Sequence, residues 1–132
     1  MSTPQISFNF TKLVVADLDA SAAFYGKVFG FQELMRVDAE IEGRPIREVL
    51  YAPTQEGGAT FVLLTFLEGP RPAPGEVILG FTTTDLEALV AAATAAGAKV
   101  VDPIRTMAEM HLKVAFLRDP EGRLIEAVQM LG

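Results

Sequence analysis

The sequence predicts an α+β protein built from two tandem βαβββ modules, and three features of the chain point there. Short runs rich in β-branched and aromatic residues are interrupted by two segments whose apolar residues recur at helical spacing. The order of these runs is the same in both halves. One short motif, Asp-Leu followed by an acidic residue, stands at the start of each helical segment.

In the first half, Ile6 to Val15 reads as a strand. Asp17 and Asp19 then introduce a helix whose apolar positions are Leu18, Ala22, Tyr25, Val28 and Phe29. Gly30 stands where a left-handed helix cap is expected. Phe31 to Val37 reads as a strand, Glu42-Gly43-Arg44-Pro45 as a turn, Ile46 to Ala52 as a strand, Gly57-Gly58 as a turn, and Ala59 to Leu67 as the last strand.

The breaker-rich stretch Gly69-Pro70-Arg71-Pro72-Ala73-Pro74-Gly75 marks the module boundary, because its prolines remove backbone donors and stiffen the chain. The expected organisation is one domain over residues 1–132, with module one at 6–67, a linker at 68–76 and module two at 77–130. After the linker, Val77 to Thr83 reads as a strand. Thr84-Asp85-Leu86-Glu87 matches a capping box, and an alanine-rich helix follows to Ala96, closed by Gly97. Ala98 to Asp102, His111 to Arg118 and Leu124 to Met130 complete the set, the last two joined by the turn residues Asp119-Pro120-Glu121-Gly122. Ala16-Asp17-Leu18-Asp19-Ala20 lines up with Thr84-Asp85-Leu86-Glu87-Ala88, a short internal repeat. The pattern supports two antiparallel sheets, each with a helix on one face.

Composition narrows the function. A chain of 132 residues, half of them hydrophobic, can bury one substantial core. A formal charge of −6 argues against the basic footprint of nucleic-acid binding and favours neutral or cationic ligands. The absence of cysteine excludes disulfides, thiolate metal sites and cysteine nucleophiles. No apolar run approaches the roughly 18 residues of a spanning helix, and the first residues lack a leader pattern, so the expected location is cytoplasmic, without membrane attachment.

Strand alternation sorts side chains into a face covered by the helix and a face turned away from it. In the final strand Glu126 shares a parity with Leu124 and Val128, a carboxylate among apolar neighbours. In the preceding strand Leu112, Val114 and Phe116 are expected against the helix, which sends His111 and Lys113 to the other face, beside Glu126. The same sorting brings Phe8, Phe10 and Lys12 together with Phe61, Leu63 and Thr65, and adds Ile78, Gly80 and Thr82. A mostly apolar surface with a few polar groups is the usual composition of a small-molecule pocket.

Val14-Val15-Ala16-Asp17-Leu18-Asp19-Ala20-Ser21, Phe24-Tyr25 and Phe29-Gly30-Phe31 resemble the opening signature of the vicinal oxygen chelate superfamily. Asp119-Pro120-Glu121-Gly122-Arg123-Leu124-Ile125-Glu126 resembles its closing signature. That family includes glyoxalase I, extradiol dioxygenases, methylmalonyl-CoA epimerase, fosfomycin resistance enzymes and bleomycin-binding proteins. The resemblance implies cupped sheets, mixed or antiparallel, with helices on their convex faces, and a homodimer. It also implies four metal-ligand positions, which fall at Phe10, Leu63, Ile78 and Glu126; three of these carry no donor atom, and near Ile78 only Glu76 offers one. No metal and no other cofactor is therefore expected.

Two readings follow. In the first, the chain binds a small, largely hydrophobic or cationic organic molecule without a metal, as the bleomycin resistance branch does, on Phe8, Phe10, Lys12, Phe61, Leu63, Ile78, Thr82 and Lys113. In the alternative it is a glyoxalase-like lyase or isomerase, with Glu126 and His111 moving protons in the absence of metal, or with a metal in a different residue alignment. Each residue has a plain structural role to set beside these: Glu126 as the ion-pair partner of Lys113 or His111, His111 and Lys113 as exposed strand residues, and the phenylalanines as core filling. Met107 and Met110 are expected in a loop before His111, as an adaptable lid or as ordinary loop packing.

Overall fold

A computed structural model describes residues 8–75 and 77–132. Ile6 and Ser7, where the first strand was expected to begin, and Glu76 lie outside the described residues. The chain divides into two compact units, Met1–Pro72 and Ala73–Gly132.

In the first unit the elements run β1 (Phe10–Val14), α1 (Leu18–Phe29), β2 (Glu33–Ile41), β3 (Arg44–Tyr51) and β4 (Thr60–Phe66). They form a four-stranded sheet in the order β1-β4-β3-β2, with β1 parallel to β4 and the other pairs antiparallel. The sheet is mixed rather than wholly antiparallel, because α1 carries the chain across a face of the sheet and a crossover returns strands in parallel. Asp17 is the N-cap of α1: its carboxylate accepts from Ala20 N at 3.0 Å, and Gly30, with φ of 72°, ends the helix. Residues 38–41, beyond the end expected for the strand, and Arg44-Pro45, expected in the turn, are instead strand. A two-residue turn at Glu42-Gly43, both with positive φ, lets β2 and β3 run to its edge, the geometry that matches strand twist in a tight hairpin.

The core of this unit lies between α1 and the sheet. Tyr25 from the helix meets Phe61 of β4 with ring centroids 5.5 Å apart, and Phe61 stacks on Phe31 at 4.9 Å. Tyr51 joins the group through Phe31 at 5.4 Å.

The second unit repeats the order: β5 (Ile78–Thr82), α2 (Leu86–Ala95), β6 (Lys99–Met107), a single 3₁₀ turn at Ala108–Met110, β7 (Leu112–Arg118) and β8 (Leu124–Met130). Its sheet has the order β5-β8-β7-β6, again with only the β5–β8 pair parallel. β6 runs well beyond Asp102. It accommodates Pro103 through register irregularities between Val100 and Arg105, which an edge strand tolerates because one side makes no ladder. Met107 is therefore the last residue of β6 and Met110 lies in the 3₁₀ turn, not in an open loop.

The expected capping box does not form. Asp85 is the N-cap of α2 and accepts from Ala88 N at 3.0 Å, while Glu87 reaches Lys113 at 2.6 Å. Leu86 packs on Ala115 and Ala127, both alanines fully buried, so the helix sits close to the strands through small side chains. The turn between β7 and β8 is held from inside: Asp119 Oδ1 accepts from Glu121 N and Arg123 N, each at 2.9 Å, and buried Arg123 pairs with Glu121 at 2.8 Å. Gly122 takes φ of 95° there, which a side chain would strain.

Candidate functional site

Strand register decides which side chains share a face. In β8, Ile125 and Ala127 are fully buried toward α2, so Leu124, Glu126 and Val128 occupy the helix-free face. Glu126 lies directly across from Gly80 of β5 and Phe116 of β7. Glu126 and Phe116 are half-buried, and Gly80 leaves a gap: a Cβ built there would meet no atom within 4 Å. Two residues further along β5, Thr82 lines a hollow of about 600 Å³ together with Thr83, Thr84, Gln129 and Met130. That step is only about 7 Å along a strand. The second unit thus carries a carboxylate beside the open position at Gly80, and two residues along β5 a cavity of the size small-molecule sites have.

Gln129 and Met130 were not among the residues singled out from sequence. Gln129 Oε1 accepts from Leu86 N at 2.9 Å, closing the start of α2 from a strand 43 positions away, and no local pattern announces such a bond. Thr82 and Ile78 stand on the face expected for them.

Lys113 and His111 do not join Glu126. The face expected for β7 is inverted: Lys113, Ala115 and Leu117 point toward α2, where Lys113 pairs with Glu87, and Leu112, Val114 and Phe116 point away. The reason is that α2 is alanine-rich and packs on Ala115, so the small residue, not the bulky ones, marks the helix side. His111 ends the 3₁₀ turn with φ of 54° and is exposed. It precedes Phe116 by five residues, about 16 Å of strand from the row that holds Glu126.

In the first unit the grouping of Phe10 and Lys12 with Phe61 and Leu63 is also corrected. Lys12 lies opposite Val62, and Thr11 and Leu13 lie opposite Phe61 and Leu63, so Phe61 and Leu63 belong to the aromatic core under α1. The run from Phe61 to Leu64 is apolar on both sides and buried on both, so alternation carried no parity there. The residue equivalent to Glu126 in the first module is accordingly Val62. Phe8 is exposed, and Phe10 is 55% exposed on the helix-free face. Lys12 approaches Glu48 at 2.6 Å, and Phe10 sits 5.8 Å from the ammonium. The Glu48 side chain is only 10% exposed, and its Oε2 faces the ammonium as a charge partner without meeting hydrogen-bond geometry.

The donor set does not fit the divalent metal that the vicinal oxygen chelate enzymes hold. Phe10 and Val62 offer none in the first module, and Ile78 and Glu126 offer one carboxylate in the second. Among the described residues no three of His, Cys, Asp or Glu come together. None of the helices among the described residues is long and apolar enough to cross a membrane.

The family model of the glyoxalase/bleomycin resistance protein/dioxygenase superfamily matches residues 7–127. The chain belongs to this superfamily. Among solved structures, a glyoxalase family protein from Bacillus cereus superposes with a TM-score of 0.85 at 22% identity, over 98% of this chain and 97% of that one. A glyoxalase/bleomycin resistance protein from Albidiferax ferrireducens is 25% identical with a TM-score of 0.66, over 92% of this chain and 97% of its own. TioX from Micromonospora sp. ML1 is 26% identical with a TM-score of 0.67, over 95% and 99%. No protein of curated function matches. Within the superfamily, the two βαβββ modules of this chain keep the fold, while the helix-free faces carry Phe10, Lys12, Glu48 and Val62 in one module and Ile78, Gly80 and Glu126 in the other.

Proposed function

We propose that this protein binds a small, largely apolar or cationic organic molecule, without a metal, on the helix-free face of its second module. The observation that carries the reading is the gap at Gly80 beside Glu126, with the hollow at Thr82, Gln129 and Met130 two residues further along β5. A half-buried carboxylate flanked by Phe116, Leu124 and Val128 favours a ligand that brings a positive charge or a hydrogen-bond donor together with apolar surface. Membership of a superfamily that includes bleomycin resistance proteins agrees with a binding role. Fold alone hosts many activities, so the argument rests on the site.

No observation favours the alternative of proton transfer between Glu126 and His111, since the register separates them along β7. The test is a thermal-shift screen of small organic cations and neutral aromatic compounds, followed by titration of any hit. Gly80→Leu fills the gap where no neighbour stands in the way, and should weaken a hit at least about tenfold. Glu126→Gln should weaken cationic hits selectively, and prior treatment with a chelator should change nothing. A hit whose affinity is the same in both variants does not bind here.

A further inference from the structure

A second cavity, of about 300 Å³, opens at the start of α1 in the first module and shares no lining residue with the hollow described above. Arg36, Arg47 and Arg71 line it, with Asp17, Leu18 and Asp19. Three guanidinium groups around one small cavity are unusual in a chain whose net charge is −6.

The charges are not equally committed. Asp17 holds the helix start through Ala20 N, and Arg36 is shared between Asp19 at 2.7 Å and Glu33 at 2.9 Å. Arg47 grips Asp38 with two nitrogens, at 2.7 and 3.1 Å, which leaves its third nitrogen unused by that pair. Arg71 makes no ion pair among the described residues and is exposed. It sits between Pro70 and Pro72, so its backbone is restricted to extended conformations before any ligand arrives, and little backbone entropy is lost in using it. At the same mouth Leu18 and Asp19 belong to the first turn of a twelve-residue helix, whose leading amides lack intrahelical acceptors and carry the positive end of the helix dipole.

We propose that this cavity is an oxyanion site for inorganic phosphate or a phosphate monoester, with Arg71 as its principal anchor. Guanidinium forks match phosphate oxygens in pairs, and of the two carboxylates in the lining Asp17 is spent on capping α1 and Asp19 is turned onto Arg36. Glu33 occupies Nε and Nη2 of Arg36, so an anion that displaces Asp19 gains its Nη1 as a further donor.

The experiment is titration of the full chain with inorganic phosphate and with phenyl phosphate at constant ionic strength, read by calorimetry and by melting temperature, with chloride as the control. Saturable binding is expected for at least one of the two. Arg71→Gln should weaken it at least about tenfold while leaving the melting temperature in chloride unchanged, and Asp19→Asn should tighten it by removing the competing carboxylate. A response no different from that of chloride overturns the proposal, as does equal affinity in wild type and Arg71→Gln, or weaker binding in Asp19→Asn.

Discussion

Tyr51 offers a stringent test of how the first module is held together. Its side chain is 1% exposed, its ring packs among Phe31 and Phe61, and its hydroxyl has no hydrogen-bond partner among the described residues. Mutational data put the burial of an unbonded hydroxyl at about 1–3 kcal/mol. Tyr51→Phe removes that cost and keeps the ring, so it should stabilise the protein by about 1–2 kcal/mol, or about 3–8 °C in melting temperature for a chain of this size. A second arm uses pH. Burial first, then the nearby Glu33 charge, pushes the Tyr51 phenol up to about 12 from an ordinary 10. Between those values the unfolded chain has lost this proton and the folded chain retains it, so stability falls as pH rises. At about 1.4 kcal/mol for each pH unit between the two values, and less near each end, about 2 kcal/mol is lost by pH 12. Subtracting the Tyr51→Phe profile from that of wild type isolates this loss, since Tyr25 is common to both. Urea denaturation from pH 8 to 12 reads both arms. A variant destabilised by more than about 1 kcal/mol at pH 8 would show that the hydroxyl is well bonded and the argument wrong.

Asp119→Ala removes the acceptor of two backbone amides and a charge beside buried Arg123, and should cost about 3 kcal/mol or more in chemical denaturation; a loss below about 1 kcal/mol would mean the turn holds without it. We also propose a homodimer, because Phe10, Ile78, Met35 and Leu34 are exposed apolar side chains of the isolated chain. Light scattering at micromolar concentration should give twice the chain mass of 14.2 kDa, and a monomer at all concentrations would refute it.

The element order was legible because period-two and helical runs alternate with breakers, and the caps at Asp17 and Gly30 are local chemistry. Strand extents were less legible at β2, whose Asp38 and Glu40 look like loop but belong to an exposed edge strand paired to β3 on one side only. Faces failed where local pattern had nothing to say. From Phe61 to Leu64 both sides are apolar, and in β7 the helix side is marked by Ala115, a residue too small to stand out. Glu87 fitted a capping box by spacing, yet the ammonium of Lys113, distant in sequence, was the stronger partner. The hollow at Thr82 depends on where Gln129 meets Leu86, a contact across 43 positions that only the folded chain brings together.

Val62, at the position that matches Glu126, sets the helix-free faces of the two modules apart. With the modules matched by register, Lys12 stands where Gly80 does, Val62 where Glu126 does, and Glu48 where Val114 does. The first module therefore sets its polar groups against each other: Lys12 is charge-paired with a buried Glu48, and a pair so placed is costly to break. The second module has the reverse arrangement. Its carboxylate, Glu126, has a glycine on one side and a phenylalanine on the other, and no basic side chain occupies the row between β5 and β7. One module thus covers this face with an internal ion pair while the matching face of the other stays open beside a carboxylate, and this asymmetry is what supports the proposed site at Gly80 and Glu126 over the equivalent positions of the first module.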